Sequence, residues 1–116
     1  MKIKKGFIIY TVISVWAVYT AAKYHYTHTF SQKAWLKTEE RAYMAEDMMK
    51  KYSLEGMTKE DVISLLGNDT ESEYFRESGN LVYWLGMERG FISIDSEWLV
   101  INFKEEKVSD YYITRD

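Results

Sequence analysis

Residues Leu54 to Gly67, LEGMTKEDVISLLG, spell out a helix together with both of its ends. Gly56 and Met57 lead into Thr58, whose hydroxyl can accept from the free backbone N–H of Asp61. Asp61 can reach back to the N–H of Thr58, which completes a capping box. Met57 and Val62 stand at the two positions of a hydrophobic staple. Glu60 and Asp61 place negative charge against the positive end of the helix dipole. Val62, Leu65 and Leu66 share one apolar face at helical spacing. Gly67 stops the helix, and Asn68 and Asp69 continue the turn.

Downstream the periodicity changes from helical to extended. Leu81–Leu85, Glu97–Lys104 and Lys107–Thr114 read as strands, and Glu71–Arg76 reads as a weaker one. Glu77 to Asn80 and Lys104 to Lys107 read as hairpin turns, with Gly79 free to take positive φ. Gly86 to Asp95 is a longer, irregular link. Side chains alternate across a strand, so Leu99, Ile101 and Phe103 occupy one face and Trp98, Val100 and Asn102 the other. Pairing Phe103 with Val108 sets Leu99 opposite Tyr112 and Val100 opposite Tyr111. The sheet is then apolar on both faces, whereas an antiparallel sheet usually turns one polar face to water. With the helices on the Leu99 face, Trp98, Val100, Tyr111 and Ile113 form a candidate protein-binding surface, for an envelope protein or a second copy of the chain.

Upstream, Ser31 is a plausible N-cap and nothing breaks a helix from Gln32 to about Tyr52. Trp35, Thr38, Ala42, Ala45, Met49 and Tyr52 line one face, broadened by Leu36, Tyr43, Met44 and Met48. Further back, Phe7 to Ala22 carries no charge and is preceded by Lys2, Lys4 and Lys5. Its 16 uncharged residues span about 24 Å, against a hydrocarbon core of ~30 Å. Lys23 can snorkel, and Tyr24 and Tyr26 suit an interface. A cleaved signal peptide is the weaker reading, because Thr20–Ala22 is a poor cleavage site and Trp16 and Tyr19 interrupt the run. The basic cluster keeps the N-terminus in the cytoplasm. The expected organisation is a cytoplasmic tail over 1–6, a single-pass plasma-membrane signal anchor over 7–26, a juxtamembrane linker over 27–32 and an extracytoplasmic domain over 33–116.

The chain of 116 residues has no cysteine and no proline, and a net charge of −3. From Tyr24 onward 11 Lys/Arg face 18 Asp/Glu, an acidic balance that argues against nucleic-acid binding. His25 and His28 have a helical metal-binding spacing but few carboxylates nearby. The acid pairs Glu39/Glu40, Glu46/Asp47, Glu60/Asp61 and Glu105/Glu106 all fall on polar faces, at a cap or in a turn. No nucleophile–base arrangement and no Gly-rich phosphate loop is present. The expectation is no enzymatic activity, no metal and no cofactor.

The Gly56-Met57-Thr58 helix start and Leu65-Leu66-Gly67 helix end, preceded by a helix and followed by aromatic strands, resemble the BamE (SmpA/OmlA) family of small envelope proteins. The resemblance runs from about Arg41 to Thr114. It implies an α+β fold, two helices on a three- to four-stranded antiparallel sheet behind the transmembrane helix. It also implies non-catalytic scaffolding, like that of BamE in an outer-membrane β-barrel assembly machine. Two departures stand out: no lipobox cysteine, and Asn68 where the family has proline. The helix–helix–sheet unit also resembles the repeats of β-lactamase inhibitory proteins, which present an aromatic sheet face to an enzyme. That implies an inhibitor or sensor domain as the alternative. A small-ligand carrier using the gap between sheet and helices is a third reading.

Overall fold

The computed structural model describes residues 5–37 and 41–116. Helix α1 (Lys5–His28) is followed by α2 (Gln32–Lys37), α3 (Ala42–Lys51) and α4 (Lys59–Leu66). Strands β1 (Leu81–Met87), β2 (Ser96–Lys104) and β3 (Lys107–Arg115) form one antiparallel sheet in that order. The chain is thus α+β. It measures 73 × 29 × 19 Å, and α1, about 36 Å long at 1.5 Å per residue, accounts for much of the long axis. Every side chain of α1 from Ile8 to Tyr26 is exposed. Among the described residues no helix is long and apolar enough to cross a membrane.

Helices α2 to α4 cover one face of the sheet. Trp35, Met44, Met48, Val62 and Leu66 meet Leu81, Tyr83, Leu85, Leu99 and Ile101 there, all fully or almost fully buried. Each such side chain contributes roughly 1.5–3 kcal/mol through burial. The capping box of α4 is formed: Thr58 Oγ1 accepts from Asp61 N–H, and Asp61 Oδ2 accepts from Thr58 N–H, both at 3.1 Å. At the other end of α4 the free carbonyls find partners outside the helix. The Trp35 indole donates to Leu66 O and the Tyr83 hydroxyl to Gly67 O, each at 2.8 Å. Burial pushes the Tyr83 hydroxyl well above its ordinary value, so it stays a neutral donor. Gly67 has φ +80° and ψ −174°, a region that side-chain-bearing residues enter only under strain; a Cβ there would also press on the exposed Leu36 side chain at 2.9 Å.

Three sequence expectations change. The continuous helix from Gln32 to Tyr52 is two helices. Arg41 N–H leaves the helical pattern to donate to Leu85 O at 2.8 Å, and Arg41 Nε returns to Trp35 O at 2.9 Å. A tertiary contact thus outweighs a favourable local propensity. Thr38, Glu39 and Glu40 lie outside the described residues. Glu71–Arg76 is not a strand. Met44 is buried as the helical face predicts, but Leu36 and Tyr52 are exposed.

The third change is in register. Phe103 pairs with Val108, but Asn102 pairs with Asp110, so Ser109 is an extra residue in β3. A bulge of this kind reverses the facing of every later side chain. Tyr111 therefore stands opposite Ile101, and Tyr112 opposite Val100. Tyr111 and Ile113 turn to the helix-covered face and pack against the core.

The β2–β3 turn is a two-residue hairpin in which Glu105 and Glu106 have φ +54° and +68°. Both signs are those of a type I′ turn, which favours Asn-Gly. A side chain in the left-handed region costs about 1–2 kcal/mol. Glu106→Gly is expected to raise unfolding stability by about 1 kcal/mol, measured by urea titration. An unchanged or lowered midpoint would contradict this turn geometry.

Candidate functional site

The four residues expected to form a binding surface do not share one. Trp98 and Val100 point away from the helices but are buried, at 6 % and 1 % exposure, as is Val82 beside them. Their cover is the chain's own segment 68–80. It runs along the outer edge of β1, where Thr70 N–H donates to Val82 O at 2.8 Å. Val82 N–H donates to Asp69 Oδ2 at 3.0 Å, and Trp84 N–H to Thr70 Oγ1 at 2.9 Å. The segment then folds over the sheet, bringing the Tyr74 and Phe75 rings to 5.7 and 6.4 Å from Trp98.

Arg76 gathers this cover. Its guanidinium pairs with Asp69 at 2.8 Å and donates to the carbonyls of Thr70, Ser72 and Asn80. The buried Asn80 side chain donates to Phe75 O and accepts from Glu77 N–H. Phe75 itself is held at φ +58°, a strained conformation that persists only where its surroundings impose it. The last open side of Trp98 is closed by Asp116, whose Oδ2 accepts from the indole at 3.0 Å. That bond and the one from Ser96 N–H hold the Asp116 carboxyl below the ordinary carboxylate range.

A second cluster sits where α1 joins the domain. The His28 ring lies between Tyr24 and Tyr43, with centroids at 3.8 and 4.0 Å. Arg89 stands over the other side of this junction, 5.0 Å from the Tyr43 ring. Its Nε and Nη2 grip Glu97 at 2.9 and 3.0 Å, and its Nη1 meets Glu46 of α3 at 2.8 Å. Glu97 is 98 % buried (2 % exposed); such a carboxylate is tolerated only when paired. Hydrogen bonding to Glu97, aided by Glu46, holds Arg89 above its ordinary value against the burial that lowers it. This knot fixes the base of the β1–β2 loop, residues 88–95, to α3 and β2. Phe91, Ile92 and Ile94 at its tip are exposed, Phe91 fully.

What this arrangement can do chemically is narrow. The strongly perturbed groups, Arg89 and Tyr83, are already committed to partners within the fold. A depression of about 600 Å³ lies between Thr58, Lys59, Ser78 and Phe103, and one of about 460 Å³ between Tyr43, Trp84 and Arg89. Neither joins a hydroxyl to a histidine. His28 Nδ1 lies 2.9 Å from Tyr24 O and His25 Nδ1 3.4 Å from Thr29 Oγ1. Among the described residues no cluster of His, Asp or Glu could hold a metal ion.

Sequence reasoning missed Arg76 and the loop tip. Arg76 carried no signal, because its partners Asp69, Thr70 and Asn80 belong to a segment read as a strand and turn. The tip did carry one: three apolar residues in a Gly-led link longer than a hairpin needs. No family model, no curated protein and no solved structure matches the chain.

Because Trp98 is covered from within, Trp98→Ala is expected to destabilise the fold by about 3–5 kcal/mol, read from chemical unfolding, while Tyr112→Ser at the exposed rim changes it by less than about 1 kcal/mol. Equal, small effects would mean that the face is bare. The Asp116 carboxyl, depressed in the folded state, supports folding above its ordinary value, and that support is lost as pH falls through the folded value. Trp98→Phe removes the indole donor, so the Asp116 titration followed by NMR is expected to move upward toward the ordinary carboxylate range. A titration that stays in place would show that the indole bond is not its cause.

Proposed function

We propose that this protein is a non-catalytic, membrane-anchored module of the cell envelope that acts by contact, with α1 as its single-pass anchor and the domain outside the plasma membrane. The observation that carries the reading is α1 itself. It exposes Ile8, Ile9, Val12, Ile13, Val15, Trp16, Val18 and Tyr19, and no charge lies between Gly6 and Ala22. A helix lying flat on a membrane needs a charged face, and α1 has none over that run. Two of its hydroxyls are satisfied within the helix, as lipid favours: Ser14 Oγ donates to Tyr10 O and Thr20 Oγ1 to Trp16 O, both at 2.8 Å. α1 falls short of the combined length and apolarity of an average span; local thinning of the bilayer and snorkelling of Lys23 are what the proposal needs to accommodate it. Lys2, Lys4 and Lys5 favour a cytoplasmic N-terminus.

The envelope role draws on the resemblance to BamE-like proteins, whose order of two helices and three antiparallel strands this chain shares after Arg41. The inhibitor reading has less support, because the aromatic sheet face it needs lies under residues 68–80.

The test is topological. Reporters fused after Asp116 in a bacterial host are expected to work only outside the cytoplasm, and the chain to stay with alkali-washed membranes. Val12→Arg with Trp16→Arg is expected to release it. A cytoplasmic reporter signal, or a wild-type chain that washes off, would contradict the proposal.

A further inference from the structure

The β1–β2 loop is built in a way that its fold does not require. Two strands as long as β1 and β2 could be joined by two residues, and residues 88–95 intervene instead. The polar backbone at the loop base is satisfied inward. Glu88 N–H donates to Asp95 O at 2.7 Å, Ser93 Oγ to Glu88 O at 2.6 Å, and Arg89 N–H to Glu97 at 3.2 Å. Three acids below the tip are ion-paired: Glu88 with Arg115 at 3.2 Å, and Glu46 and Glu97 with Arg89. What remains outward is Phe91, Ile92 and Ile94, with Met87 below them, all exposed. An aromatic and two β-branched residues held out on a rigid base are costly in water.

The position of the loop identifies its occupant. Arg89 and His28 meet the same ring, Tyr43, and His28 ends α1. Phe91 is two residues from Arg89, a reach of at most about 7 Å. The loop tip therefore lies at the end of the domain from which α1 departs. The Glu77–Asn80 turn and the β2–β3 hairpin lie at the opposite end of the strands. The last turns of α1 carry Tyr24 and Tyr26, residues suited to the headgroup layer.

We propose that Phe91, Ile92 and Ile94 form a second membrane contact, a loop that dips into the interface of the bilayer holding α1 and so fixes the orientation of the domain on it. This rests on the reading of α1 as an anchor. The partner is a lipid surface rather than a protein, because the apolar tip lies at the end of the domain from which α1 departs and the acids Glu46, Glu88 and Glu97 beneath it are paired with arginine. Interfacial burial of apolar side chains reaches about 5–10 Å into the headgroup and acyl boundary.

The chain has no cysteine, so single labels can be placed cleanly. Full-length Phe91→Cys, Ile94→Cys, Val15→Cys and Ser78→Cys, each bearing a nitrobenzoxadiazole group, are reconstituted into phosphatidylethanolamine–phosphatidylglycerol vesicles with and without spin-labelled lipid. Strong quenching at 15, 91 and 94 with none at 78 supports the proposal. So does a severalfold drop in quenching at 91 when Ile92 and Ile94 are changed to Asp while position 15 is unaffected. Quenching at 15 alone overturns the loop contact and leaves the anchor, which would point the tip at a protein. Quenching at 91 without 15 keeps the loop contact and overturns the anchor. Equal quenching at 78 and 91 overturns the proposal, since the domain then touches lipid without preference.

Discussion

A three-stranded sheet that is apolar on both faces needs two covers, and everything else in this domain follows from how the second one is made. The first is the helix layer of α2 to α4. The second is the segment 68–80, which has no regular structure and is gathered around one guanidinium and bonded to the edge of β1. Arg76 draws Asp69, Thr70, Ser72 and Asn80 around itself, and that closure sets Tyr74 and Phe75 over Trp98. The same segment uses Asp69 and Thr70 to occupy the outward N–H groups of β1. Unpaired edge groups invite pairing with another chain, so the cover removes a free face and half of a free edge together.

This closure moves the question of contact away from the sheet. The side chains left exposed in numbers are those of α1 and of the β1–β2 loop tip, and they lie at the same end of the domain. The Arg89 knot connects them: it ties the loop base to Glu97 and Glu46 and rests on Tyr43, which packs on His28. Breaking a buried pair of this kind is far more disruptive than the pair is stabilising, so the knot acts as a positional device. In the membrane-anchored module proposed above, this knot would set the distance of the loop tip from the anchor.

Much of the fold was legible in the sequence, because local signals and burial agreed there. The α4 helix has its capping box where Thr58 and Asp61 predict it, and the strands that start at Leu81, Ser96 and Lys107 fall on the extended apolar and aromatic runs between turn residues. The break at Arg41 was not legible, since it depends on a carbonyl of Leu85 far along the chain. The facing of Tyr111 and Ile113 was not legible either. A single extra residue at Ser109 reverses it, and a polar Ser-Asp pair in a hairpin strand carries no distinct sign of a bulge. The burial of Trp98 and Val100 escaped for a related reason. Their cover is an irregular segment, and periodicity says nothing about where an irregular segment goes.

The claim on which the account turns is that residues 68–80 seal the outer side of β1 and the face of Trp98. Amide hydrogen exchange at Val82 and Trp84, resolved by NMR in the intact chain, tests it most directly. Both N–H groups point away from β2, and only Asp69 and Thr70 shield them. Protection as strong as that of the central strand β2 is the predicted result. Exchange at the rate of a free edge strand would contradict it.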